Sequence, residues 1–230
     1  LHLTLLKVDF LNEKVAVATL DGKAYFFIVN RLREQNVPFV SLVPGDPVPA
    51  QIKLVITTAE ERNQVNFDKT ITFTGEDTLD DLKIEIKRIL QGKEAYEKII
   101  IGLDPGIATG LAIIADGNIV EVENCFSSKE VIQCITKTIK NINFDKTSVF
   151  VKIGNGVPIY KDLLEALDQA LPPQITLEVV SERGTNKPLK ENKRSRAVRH
   201  ISSAIRIAGR SGYTFPRNKT SPRKMEPNKT

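Results

Sequence analysis

Apolar positions in the first 90 residues alternate between short β-branched runs and stretches with helical spacing. KVAVAT at 14–19, PFVSLV at 38–43, IKLVIT at 52–57 and TITFT at 70–74 are each the length of a buried strand. GKAYFFIVNRLREQN at 22–36 places Phe27, Val29 and Leu32 at helical intervals, and DTLDDLKIEIKRIL at 77–90 repeats apolar residues at Leu79, Leu82, Ile86 and Ile89 behind an acidic first turn. Strand and helix in alternation predict a small α/β domain with a mainly parallel sheet. VPGDPVPAQ at 43–51 packs three Pro into seven residues and reads as an irregular loop at a strand end. Such ends often bind ligands in open sheets, and a rigid connection is the plainer reading.

The pattern changes after the polar stretch QGKEAYEK at 91–98. IIIGLD, GLAIIA and GNIVEVENCF are three strands in close succession, the last two joined by Asp116-Gly117, a pair suited to the positive φ angles of a two-residue hairpin. A capped helix follows over 127–143, with Val131, Ile135 and Ile139 four apart. Then come strand TSVFVKIG, helix VPIYKDLLEALDQAL, strand QITLEVVS, and a last helix from near Glu191 to about Gly209. The predicted order is βββαβαβα, so the fold class is α/β with a mixed sheet in the second half. The expected organisation is a small α/β domain over 1–92, a second domain over 99–212 and a basic disordered tail over 213–230.

Charge changes this picture more than composition does. From Glu182 onward the chain carries 14 Lys and Arg against three Glu, a net of +11, whereas the first 181 residues carry 19 basic and 25 acidic side chains, a net of −6. Clustered cations of this kind gain affinity by displacing counterions from phosphates, which points to a nucleic-acid partner. No apolar run approaches the ~20 residues that cross a bilayer, and the first ten residues lack a secretory pattern, so no membrane association and a cytoplasmic location are expected. Cys125 and Cys134 have eight residues between them and no His nearby, and are expected to be ordinary thiols.

The chemistry centres on IIIGLDPGIATG at 99–110, where an apolar strand ends on Asp104 and turns through Pro105, Gly106 and Gly110. A surface turn can hold an Asp for no other reason than turn geometry. Phosphodiester hydrolysis, however, needs carboxylates converging on divalent cations, and a strand tip places one rigidly. The stretch resembles the first motif of the RNase H-like superfamily in its RuvC and YqgF branch, in which a strand-end Asp binds a divalent metal. The resemblance runs over about 99–212 and agrees with the βββαβαβα order. EVVSERGTNKP at 178–188 is similar to the DERxTT segment of YqgF-like proteins, which sets Glu182 in the acidic position, Arg183 beside it and Thr185 on its Thr, with Ser181 replacing the first Asp.

Other positions depart from that family. The strand that brings a Glu in RuvC-like enzymes has Lys152, followed by Gly154, Asn155 and Gly156, which resemble the Gly-x-Pro-Asn loop of the YqgF branch. The last helix offers His200 and Ser203 where the family has an Asp, or His-x-x-Asp. The resemblance therefore implies Asp104 and Glu182 as metal ligands for Mg²⁺ or Mn²⁺, and His200 as a further ligand or proton acceptor. It also implies phosphate contacts from Thr109, Lys152 and Asn155. Arg183, Lys187, Lys193, Arg194, Arg196, Arg199, Arg206 and Arg210 would form the basic wall of the groove.

Two readings stay open. One is an endonuclease acting on DNA junctions or structured RNA; the other is a nucleic-acid-binding factor that has lost catalysis. An actin-like ATPase would need a second domain with its own phosphate loop, and nothing after Glu182 supplies one. The first domain is expected to bind a protein partner or set specificity, and oligomeric state is not legible.

Overall fold

The computed structural model describes residues 14–75, 79, 83–182 and 196–217, the last segment with side chains from His200 onward. It divides into two compact units, residues 1–95 and 96–230. Tyr213 to Arg217, expected in a disordered tail, belong to the second unit's fold, and residues 218–230 lie outside the described residues.

In the first unit, strands β1 (Val15–Ala18), β2 (Phe39–Leu42), β3 (Leu54–Thr58) and β4 (Thr70–Phe73) form a wholly parallel sheet in the order β2-β1-β3-β4. Every residue of β1 and β3 is buried, which is why both read as unbroken apolar runs instead of alternating ones. Val15, Val17, Leu54 and Ile56 face α1 (Gly22–Glu34) and α2 (Lys83–Leu90), while Ala16, Ala18 and Val55 pack on the other side with Val65. Asp21 caps α1 by accepting from the Lys23 and Ala24 N–H groups. Phe27 stays half-exposed, and Ile28 takes the core place expected for it.

The second unit contains β5 (Lys98–Asp104), β6 (Thr109–Ala115), β7 (Asn118–Cys125), α3 (Ser128–Ile139), β8 (Ser148–Gly154), α4 (Tyr160–Ala170), β9 (Thr176–Val180), α5 (Arg196–Ala208) and β10 (Tyr213–Thr214). The sheet order is β10-β9-β8-β5-β6-β7; β5, β8 and β9 run parallel, and β6, β7 and β10 pair antiparallel to their neighbours. The β6–β7 turn has Asp116 at φ 46° and Gly117 at φ 81°, the positive pair that its sequence calls for. Asp116 also accepts from the Glu97 and Lys98 N–H groups, tying the hairpin to the start of β5.

After β10 the chain is anchored by Arg217. Its guanidinium pairs with the Asp168 carboxylate at 2.7 Å and donates to the carbonyls of Asp168, Leu171, Pro172 and Ile175. Asp168 is in the last turn of α4 and Leu171 is its C-cap, positions whose carbonyls the helix itself cannot satisfy. Arg217→Ala is expected to cost about 2–3 kcal/mol in a denaturant melt, because it leaves several carbonyls and a carboxylate unpaired in a largely buried place. A loss under about 0.5 kcal/mol would show that water replaces the guanidinium freely.

Candidate functional site

Helix α5 lies across β5, β6 and β8, and glycines set how close it comes. A Cβ on Gly102 would overlap the Ala204 carbonyl oxygen and stand 2.9 Å from the Ala208 Cβ; a Cβ on Gly110 would overlap the backbone carbonyl of His200. With small residues on both sides the helix backbone rests on the sheet. That contact delivers the His200 ring to the tip of β5, where Nδ1 lies 3.1 Å from Asp104 Oδ2. The ring also sits over the turn, 3.0 Å from where a Gly106 Cβ would be.

Glu182 arrives from the end of β9. Its Oε1 accepts from the Gly156 N–H at 2.9 Å, and its own N–H donates to Asn155 Oδ1 at 3.3 Å. Gly154 and Gly156 leave the space that the carboxylate fills, since a Cβ on either would collide with it. In register, Leu103 lies beside Ile153, so Asp104 is the neighbour of Gly154, while Glu182 follows β9, two strands from β5 with β8 between them. The Asp104 carboxyl is pushed above the usual carboxylate range. Burial is the largest cause and the Glu182 charge adds to it, while the His200 hydrogen bond and the Arg206 charge act against it.

Asp104, His200 and Glu182 are thus neighbours but not a tight ligand cage. Among the described residues, the one group of three metal-ligating side chains whose donor atoms lie within 4.8 Å of one another is elsewhere, at Glu123, Cys125 and Cys134.

Three of the residues expected to contact phosphate have places of their own in the fold. Lys152 is 7 % exposed, donates to the Arg210 carbonyl and pairs with Glu178 at 3.2 Å, so it is a buried tie between β8, β9 and the end of α5. Thr109 pairs with Cys125, one residue before the Gly110 position that faces α5; strand alternation turns its side chain to the opposite face of the sheet. Asn155 uses its side-chain oxygen to hold the Glu182 backbone. Arg206 remains exposed beside Asp104 and donates to Ser202 and Ser203, and Arg210 donates to the Ser181 carbonyl. Arg183, Lys187, Lys193 and Arg194, and the side chains of Arg196 and Arg199, lie outside the described residues.

Two features had no place in the sequence argument. Ile107, 89 % exposed, stands on the turn just past Asp104. A cavity of about 560 Å³ beside Asn155 and Ser181 is lined by Tyr160, Tyr213 and Phe215 among others. Their signal was aromatic spacing across α4 and the post-helix segment, hidden because 213–217 read as tail. In the first unit, a cavity of about 590 Å³ opens at the carboxyl ends of β1, β3 and β4, lined by Asp21, Lys23, Thr58, Glu60 and Phe73 among others, and not by the Pro-rich loop 43–51. Nearby, burial opposes ionisation of Glu61, but hydrogen bonds from Thr19, the Leu20 N–H and Thr58 hold its carboxyl below the usual range.

Residues 14–83 match the family model of a response regulator receiver-like domain. No curated protein matches the chain. Among solved structures, the Argonaute of Marinitoga piezophila in complex with 5′-OH guide RNA is similar over 74% of this chain, at 14% identity and a TM-score of 0.24. The same protein with guide RNA and target DNA gives 15% identity and the same score. The chain spans 40% of the length of these Argonaute chains, and a score at that level does not define a shared fold. No described helix is long and apolar enough to cross a membrane.

Proposed function

We propose that the second unit is an RNase H-like domain of RuvC/YqgF type that binds structured nucleic acid, with Asp104, His200 and Glu182 facing a phosphodiester. The observation that carries this reading is Asp104 at the tip of the central strand, with the α5 imidazole on one of its oxygens and the Glu182 charge close enough to raise its pKa. Three successive antiparallel strands, with two later strands parallel to the first, support this reading, and the net charge of +11 from Glu182 onward suits a polyanion. Ile107 and the Tyr160, Tyr213 and Phe215 cavity offer apolar and aromatic faces to bases.

Two carboxylates suit one hard cation that keeps most of its water, so Asp104 and Glu182 would hold Mg²⁺ or Mn²⁺. When bound, the ion supplies charge neutralisation at the phosphate and polarises water. Asp104 fixes the His200 ring; with the proton on Nδ1, Nε2 is left to take a proton from attacking water. Gly156 and Asn155 hold Glu182 at its place. The first unit is proposed as a receiver-like module for a protein partner, from its parallel β2-β1-β3-β4 order and the match over 14–83.

The second reading is binding without cleavage. It is favoured by the engagement of both carboxylates with protein groups, His200 at Asp104 and the Gly156 N–H at Glu182. Incubating the full chain with four-way junctions, duplex DNA and folded RNA, with Mg²⁺ or Mn²⁺, decides between them. Metal-dependent product is expected. Tight binding without product would leave the second reading standing. Affinity that does not fall as salt rises from about 50 to 200 mM would remove the nucleic-acid proposal altogether.

A further inference from the structure

On the face of the second sheet opposite α5, β7 and α3 bring together two thiols and a carboxylate. Glu123 and Cys125 are two apart on β7 and share one face of the strand. Ser127 caps α3 by accepting from the Glu130 N–H, and the Glu130 carboxylate reaches back to the Phe126 N–H at 2.7 Å. That reciprocal cap folds the helix tightly onto the strand it follows and sets Cys134 over β7. Cys134 Sγ lies 3.8 Å from Cys125 Sγ and 3.0 Å from Glu123 Oε2.

The sulfur separation is the informative number. Two Zn–S bonds of about 2.3 Å at a tetrahedral angle hold their sulfurs about 3.8 Å apart. A disulfide requires the same atoms at about 2.05 Å, a further approach of almost 2 Å between a strand and a helix already packed together. The Glu123 oxygen must withdraw by about half an ångström to complete a Zn edge, and its side chain is exposed and able to do so. Two thiolates and one carboxylate select a borderline-soft ion over Mg²⁺ or Ca²⁺.

We propose that Glu123, Cys125 and Cys134 form a Zn²⁺ site with an open fourth position, independent of the Asp104 site. Binding converts two thiols, one carboxylate and Zn²⁺ into a complex of net charge −1 and releases two protons to solvent. The ion staples β7 to α3 across the short connection between them. This departs from the reading of the two cysteines as ordinary thiols. Sequence spacing alone lacked a recognisable zinc pattern because the third donor comes from the strand and the second thiol lies in the following helix.

The test is a Zn²⁺ titration of the reduced, metal-free full chain against a chromophoric chelator, with Co²⁺ as a spectroscopic substitute. One equivalent with a Kd below about 1 μM is expected, together with a thiolate-to-cobalt charge-transfer band. Cys134→Ser should weaken binding at least about 100-fold and Glu123→Gln about 10-fold. Neither side chain is fully buried, so both variants should fold; circular dichroism checks this. Cobalt uptake without a charge-transfer band, or Cys134→Ser binding like the wild type, would overturn the proposal. So would reduced protein that takes up no Zn²⁺ but closes a Cys125–Cys134 disulfide in air.

Discussion

Asp104→Asn is expected to lower metal-dependent cleavage by about 10³-fold or more, equivalent to about 4 kcal/mol of transition-state stabilisation, while raising the thermal midpoint of the metal-free protein. The two effects share one cause. Burial and the Glu182 charge raise the Asp104 pKa, so the folded state holds the proton more tightly than the unfolded chain does. Stability contributed by this group therefore falls as pH rises through the window above the ordinary carboxylate range, and at neutral pH the ionised form works against the fold. Asn removes the charge and still offers an oxygen to His200 Nδ1. Melts of both proteins from about pH 4 to pH 8 should show the wild type losing ground to the variant as pH increases. A variant that melts lower at neutral pH, with a parallel pH profile, would show that Asp104 is an ordinary structural carboxylate.

Gly110→Val is expected to cost at least about 3 kcal/mol and to detach the His200 ring from Asp104. A new side chain there meets backbone, the His200 carbonyl, which cannot rotate away, so α5 must lift off the sheet. Histidine NMR reports the second effect directly, since the Asp104 contact sets the environment of the His200 ring. Retained stability with an unchanged His200 signal would mean that α5 does not bear on β6 as closely as described. Gly117→Ala provides the contrast: nothing lies within 4 Å of its added Cβ, and its cost comes from φ 81° alone.

The same glycines explain what could be read from the chain beforehand. Strands with fully buried faces and the Asp116-Gly117 turn are local patterns, and each stands where apolar spacing and turn chemistry put it; of the two serines that could cap the next helix, Ser127 does so. Asp104 and His200 were visible as residue types in the right order. Their contact was not, because it depends on α5 resting directly on Gly102 and Gly110. Gly in strand interiors, facing Ala204 and Ala208 in a later helix, was the available sign of that approach. Lys152 misled for a related reason. A lysine in an apolar strand next to a glycine loop looks like a phosphate contact until β9 supplies Glu178 beside it. Arg217 was lost in a basic run whose composition suggested a tail, although five acceptors were waiting at the end of α4.

The two ends of the second sheet differ in how unpaired strand backbone is managed. β7 presents Glu121 and Glu123 along its length and is bulged against β6 between Ile113 and Ile114; both features discourage another chain from adding a strand. β9 is covered by the protein's own Tyr213–Thr214, extended by the bond from the Phe215 N–H to the Leu177 carbonyl and clamped by Arg217. The segment following α5 thus acts as an edge guard. Clipping the chain near Gly212 would remove basic residues and also expose a strand template, so self-association would accompany any loss of nucleic-acid affinity.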